Sequence, residues 1–111
     1  MEPGADPNVT ADPAVLRLLQ PGERVELGLA MAGADLRVTD RRLLVTSAGS
    51  VRLDIPYERL RRIQFDLEAG RPAALVIVPH HPSDEPQVLS VPRDQLHVAA
   101  ELLAFVGERL P

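Results

Sequence analysis

Alternation is the feature that most narrows what this chain can fold into. From Val25 to Val91, short stretches with apolar residues at every second position are each closed by a turn signal. A period of two places one side-chain set on one face of an extended strand and the intervening set on the other. Val25, Leu27, Leu29 and Met31 interleave with Arg24, Glu26, Gly28 and Ala30, and Gly33-Ala34-Asp35 makes a turn. Leu36 and Val38 then alternate with Arg37 and Thr39, and Thr39-Asp40-Arg41 turns again through short polar side chains that bond local backbone. Leu43 to Val45 runs to a Ser47-Ala48-Gly49-Ser50 turn, and Val51, Leu53 and Ile55 run to Pro56. Ile63, Phe65 and Leu67 alternate up to Gly70-Arg71-Pro72, and Ala73 to Val78 forms the most apolar strand. His80 to Pro86 is a polar loop, and Gln87 to Val91 the last strand. Seven strands, with turn signals about every ten residues, predict a sandwich or barrel rather than parallel βαβ units.

Two helical segments flank the strands. Asp12-Pro13 reads as an N-cap and a first-turn proline, and Val15, Leu16, Leu18 and Leu19 follow before Pro21-Gly22 stops the segment. Two turns cannot stand alone, so this helix must dock on something apolar. At the other end, Asp94 is the expected N-cap of a helix of about 16 residues. Leu96, Ala99, Ala100, Leu103, Val106 and Leu110 recur at helical spacing, and Val98, Leu102 and Phe105 widen the stripe beyond half the circumference. Such a helix must be covered by the sheet, and the excess girdle of Val98, Leu102 and Phe105 is a candidate self-association surface. Residues 1–11 are rich in Pro, Gly and acids without periodicity and read as a disordered tail, which leaves 12–111 as a single domain.

Composition removes several functions. The chain has 111 residues and no cysteine, so disulfides, thiolate chemistry and Cys-based zinc sites are excluded. The longest apolar run, Ala73 to Val78, is six residues, too short for a membrane-spanning helix. The first twelve residues carry no basic side chain, unlike a signal peptide, and a cytoplasmic location is expected. The serines lie in no nucleophile-elbow pattern and the glycines form no phosphate loop, so no enzyme activity, small-molecule substrate or cofactor is expected. Adjacent His80 and His81 point to opposite faces, so no metal site is expected, and His97 with Glu101 reads as a helical pair. A net charge of −4 and three aromatic residues argue against nucleic acid as a partner.

Charge is nevertheless uneven. Residues 41–62 hold six arginines, Arg41, Arg42, Arg52, Arg59, Arg61 and Arg62, against Asp54 and Glu58, leaving −8 on the remainder. At the Thr39–Arg42 hairpin, Asp40 is expected to bond backbone donors, and Arg41 and Arg42 either sit solvated or offer a fork to phosphate or carboxylate. If the strands carrying Arg52 and Arg62 pair, the two share a solvent face with Asp54, Gln64 and Asp66. The outcomes are an internally neutralised surface or a docking face for an acidic partner or anionic membrane.

Three stretches carry a resemblance. Leu19-Gln-Pro-Gly-Glu-Arg-Val25, Leu36-Arg-Val-Thr-Asp-Arg-Arg-Leu-Leu-Val45, and Val51-Arg-Leu-Asp-Ile-Pro-Tyr-Glu-Arg-Leu60 with Ile63 resemble the bacterial pleckstrin-homology-like family in order and spacing, over residues 18–110. The resemblance implies a mainly β, α+β fold: a seven-stranded antiparallel, partly open barrel or sandwich capped by the C-terminal helix, with a short N-terminal helix. It also implies a non-catalytic binding or assembly module. Lipid-binding relatives in the wider superfamily place basic residues around the first hairpin loop. Here that loop, Met31 to Asp35, has no cation and one carboxylate, and a polyphosphate headgroup needs several converging donors. The expectation is therefore protein–protein contact with self-association. The alternative is peripheral binding to anionic membrane or phospholipid through the 41–62 arginines, and a third reading is a ligand pocket inside the barrel.

Overall fold

A computed structural model describes residues 13–110. The expected N-cap Asp12 and the 1–11 tail lie outside the described residues. A six-residue helix, α1 (Pro13–Leu18), precedes strands β1 (Val25–Met31), β2 (Ala34–Thr39), β3 (Arg42–Ser47) and β4 (Ser50–Pro56). A 3-10 turn over Tyr57–Arg59 leads to β5 (Leu60–Asp66), β6 (Ala73–Pro79) and β7 (Gln87–Val91). A second 3-10 turn, Arg93–Gln95, runs directly into helix α2 (Leu96–Gly107). All seven expected strands form, in two antiparallel meanders ordered β1-β2-β3-β4 and β5-β6-β7.

The strands do not close a barrel. β4 and β5 belong to different sheets, parted by the Tyr57–Arg59 turn, so Arg52 and Arg62 are not cross-strand neighbours as a shared face requires. On the opposite side β1 approaches β7 without joining its ladder. α2 lies against β5 and β1. One apolar core joins both sheets and the helix: Leu36, Val38, Leu43, Val45 and Ile55 from the first sheet, Leu75, Ile77 and Leu89 from the second, and Ala99, Leu102 and Val106 from α2. The interior is filled by these side chains, as in other small β-domains.

Two local features departed from simple alternation. The β3–β4 turn places Ala48 at φ 52° and Gly49 at φ 80°, with Ser47 paired to Ser50. Positive φ at both central residues is the hairpin geometry whose twist matches right-handed strands. Register shifts also occur between Leu60 and Arg62, opposite Pro79 and Val78, and between Val45 and Thr46, opposite Leu53 and Val51. Each inserts one extra residue, Arg61 and Arg52 respectively, so that Arg61-Arg62 and Val51-Arg52 are consecutive exposed pairs.

The C-terminal helix is shorter than its apolar pattern suggests. Asp94 sits inside the 3-10 turn rather than capping, and Gln95 is the N-cap, without a side-chain bond. Its outward positions are His97, Ala100, Glu101, Ala104 and Glu108, which are small or polar.

Candidate functional site

The Thr39–Arg42 hairpin carries the densest polar network. Glu23 sits in the turn before β1, and its side chain is 0% exposed. Arg42, the first residue of β3, engages it as a fork, Nε to Oε2 at 2.9 Å and Nη2 to Oε1 at 2.8 Å. The remaining Arg42 donors reach Asp54 on β4, Nη1 to Oδ2 at 3.1 Å, and the Leu18 carbonyl at the end of α1. Thr39 Oγ1 donates to Glu23 Oε2 at 2.7 Å and accepts from the Arg41 and Arg42 amides at 3.0 and 2.9 Å. Burial alone would push the Glu23 carboxyl up. The bonds from Arg42, the Gln20 amide and Thr39 outweigh it and hold the group at about 2. Tyr57 closes the other side, donating from its hydroxyl to the Thr39 carbonyl at 2.5 Å, and burial pushes its phenol up from its ordinary value.

This network answers the first sequence question. Arg42 does form a fork, but the carboxylates it grips are its own chain's, so it has no donors left for a ligand. Arg41 is exposed yet bonded to Gln20 Oε1 at 2.9 Å and to the Pro21 carbonyl. Asp40 accepts from the Arg24 amide at 3.0 Å, the backbone-bonding role expected of it. Together these bonds tie the α1–β1 segment to the second hairpin. Glu23, which the residue pattern did not single out, is the centre of the network. Its signal is a lone acid, just ahead of a strand, that later meets an arginine across the sheet.

The other arginines do not converge. Arg59 pairs with Asp84 and so pins the 80–86 loop, aided by the His80 amide bonding to the Arg59 carbonyl at 2.9 Å. Arg52 projects from β4, and Arg61 and Arg62 from β5 in the other sheet, all three exposed and without an ion pair among the described residues. Residues 41–62 are therefore partly self-neutralised and divided between sheets.

The expected apolar girdle on the C-terminal helix is also corrected. Leu102 is fully buried in the core, so it cannot meet a partner in the folded domain. Val98 and Phe105 pack against that core, and the Arg109 guanidinium lies over the Phe105 ring, 3.5 Å from its centroid. The helix stripe is wide because two sheets cover it.

An apolar surface does occur, on the outer face of the β5–β7 sheet. Register places Gln64, Val76 and Val88 side by side, with Arg62 beside Val78 in one flanking row and Asp66, Ala74 and Ser90 in the other. Leu75, Ile77 and Leu89 point the other way into the core. Val88, the second residue of β7, is 71% exposed. The sequence signal was the unbroken run Ala73–Val78, in which Val76 and Val78 are apolar on the side that alternation assigns to solvent.

No family model matches the chain, and no curated protein does. A solved structure, the pleckstrin homology domain from Shewanella amazonensis SB2B, is similar over 83% of this chain and 90% of that one, with a TM-score of 0.61 and 19% identity. The fold is that of a pleckstrin homology domain. The expected seven strands and C-terminal helix are thus those of the pleckstrin-homology fold, although the sheets here do not close into a barrel. No described helix is long and apolar enough to cross a membrane.

Proposed function

We propose that this domain is a non-catalytic protein-binding module that self-associates through the outer face of the β5–β7 sheet. A pleckstrin-homology fold suggests a binding role, and exposed Val88 with half-buried Val76 and Val78 supplies a surface with a reason to be covered. The observation that carries the reading is Val88, solvated beside Val76 and one row from Val78. Covering a valine contributes about 1.5 kcal/mol or more. The same face has Arg62 at one end of its β5 row and Asp66 at the other. Under a two-fold axis the arginine of one copy meets the aspartate of the next, the self-complementarity an isologous dimer requires.

Sedimentation velocity from micromolar to millimolar concentration tests the reading. A concentration-dependent dimer is expected, and Val88→Asp abolishes it while leaving the circular dichroism melt unchanged. A strict monomer at millimolar concentration, or an undiminished dimer in the variant, overturns it. The membrane alternative has less support, because Arg42 and Arg59 are held by carboxylates. Co-sedimentation with anionic vesicles that an Arg52, Arg61 and Arg62 triple Ala variant loses would instead favour it.

A further inference from the structure

A second surface lies at the other end of the same sheet, beside the margin of the core. The β5–β6 turn and the segment leading into α2 flank a groove of about 890 Å³, within the size range of small-molecule sites. Its apolar lining includes four aliphatic side chains, Leu67, Ala73, Val91 and Leu96. Val91 is a buried core residue, and Ala73 and Leu96 are half-buried against the core, so the groove borders the hydrophobic interior. Leu67 stands at its margin, 65% exposed. No aromatic side chain lines it, so it offers no stacking platform for a base or other flat ring. Two cations, Arg71 and Arg93, rim it. Arg71 is loosely paired with Glu68, 3.7 Å away, and Arg93 is exposed with no ion pair among the described residues. The rim thus carries one net positive charge on a chain of net charge −4.

We propose that this groove binds an aliphatic chain ending in a carboxylate, the chain lying on Leu67, Ala73, Val91 and Leu96 and the carboxylate meeting Arg93 and Arg71. The chemistry selects both halves of the ligand. Aliphatic walls without aromatic rings favour a saturated chain, and guanidinium groups are matched in shape to a carboxylate. The arginines at the rim, beside an apolar lining, allow the head to stay hydrated while the chain leaves water. This inference does not rest on the outer-face reading, since Val88 is no part of the groove.

Amide chemical shifts of the ¹⁵N-labelled full chain, titrated with octanoate below micelle-forming concentration, test it. Saturable shifts are expected at Ala69 to Arg71, Ala73 and Arg93 to Leu96, with none from acetate. Uncharged octanol should bind at least about tenfold more weakly, and decanoate roughly tenfold more tightly than octanoate, from two further buried methylenes. Arg93→Gln should bring octanoate down to the level of octanol, and Leu67→Ser should weaken both. Both side chains are exposed, so both variants should keep the remaining spectrum unchanged. Equal binding of octanol and octanoate, wild-type affinity in Arg93→Gln, shifts centred elsewhere, or no saturation overturns the proposal. So does saturation of the groove only by a peptide with an aliphatic residue at its free C-terminus, which would make the site one for protein termini.

Discussion

Replacing Glu23 by glutamine isolates one carboxylate whose contribution to stability is set by its surroundings. In the folded domain the group is held at about 2 against an ordinary value of 4.5. Because the folded value is the lower one, the carboxylate stabilises the fold above pH 4.5, and that contribution disappears as the pH falls toward 2. At about 1.4 kcal/mol per pKa unit, the gap is worth about 3 kcal/mol, a large share of the ~5–15 kcal/mol that holds a typical domain together. Glu23→Gln keeps the size and one acceptor but cannot hold a charge opposite Arg42. Urea unfolding is best followed by circular dichroism, since the chain has no tryptophan and one tyrosine. The expected result is a stability deficit of about 3 kcal/mol at neutral pH that shrinks to under about 1 kcal/mol at pH 2. A difference between the two proteins that stays flat from pH 7 to pH 2 would refute the reasoning.

Other substitutions probe the remaining structure. Leu102→Ala empties a fully buried core position and should cost about 2–5 kcal/mol in chemical denaturation, whereas an exposed girdle residue would cost almost nothing. Tyr57→Phe leaves the Thr39 carbonyl without the phenol and should cost roughly 1–2 kcal/mol by the same assay. Ala48→Asn relieves a non-glycine residue at φ 52° and should stabilise by about 1 kcal/mol, read as a rise of roughly 4–8 °C in Tm. Arg59→Ala frees Asp84 and should change global stability by under about 1 kcal/mol while speeding amide exchange across residues 80–86.

Local pattern carried the architecture a long way. The period-two stretches, their turn residues and the helical stripe after Pro92 placed every strand and the C-terminal helix, because backbone geometry alone decides which side chains share a face. The same pattern failed where the chain inserts an extra residue. Alternation cannot mark a bulge, so the consecutive exposure of Arg61 and Arg62 and of Val51 and Arg52 appeared only with the ladders. Tertiary structure also decided the fate of each candidate side chain. The fork of Arg42 was legible in its residue type, but the acid that fills it lies 19 positions away. The apolar width of the last helix was equally legible. Whether it meant a core or an interface depended on the two sheets that enclose Leu102. The order and spacing of residues along the chain set which elements form. Only their packing, which brings distant groups within bonding distance or removes them from water, determined which charges are spent internally and which surfaces remain for a partner.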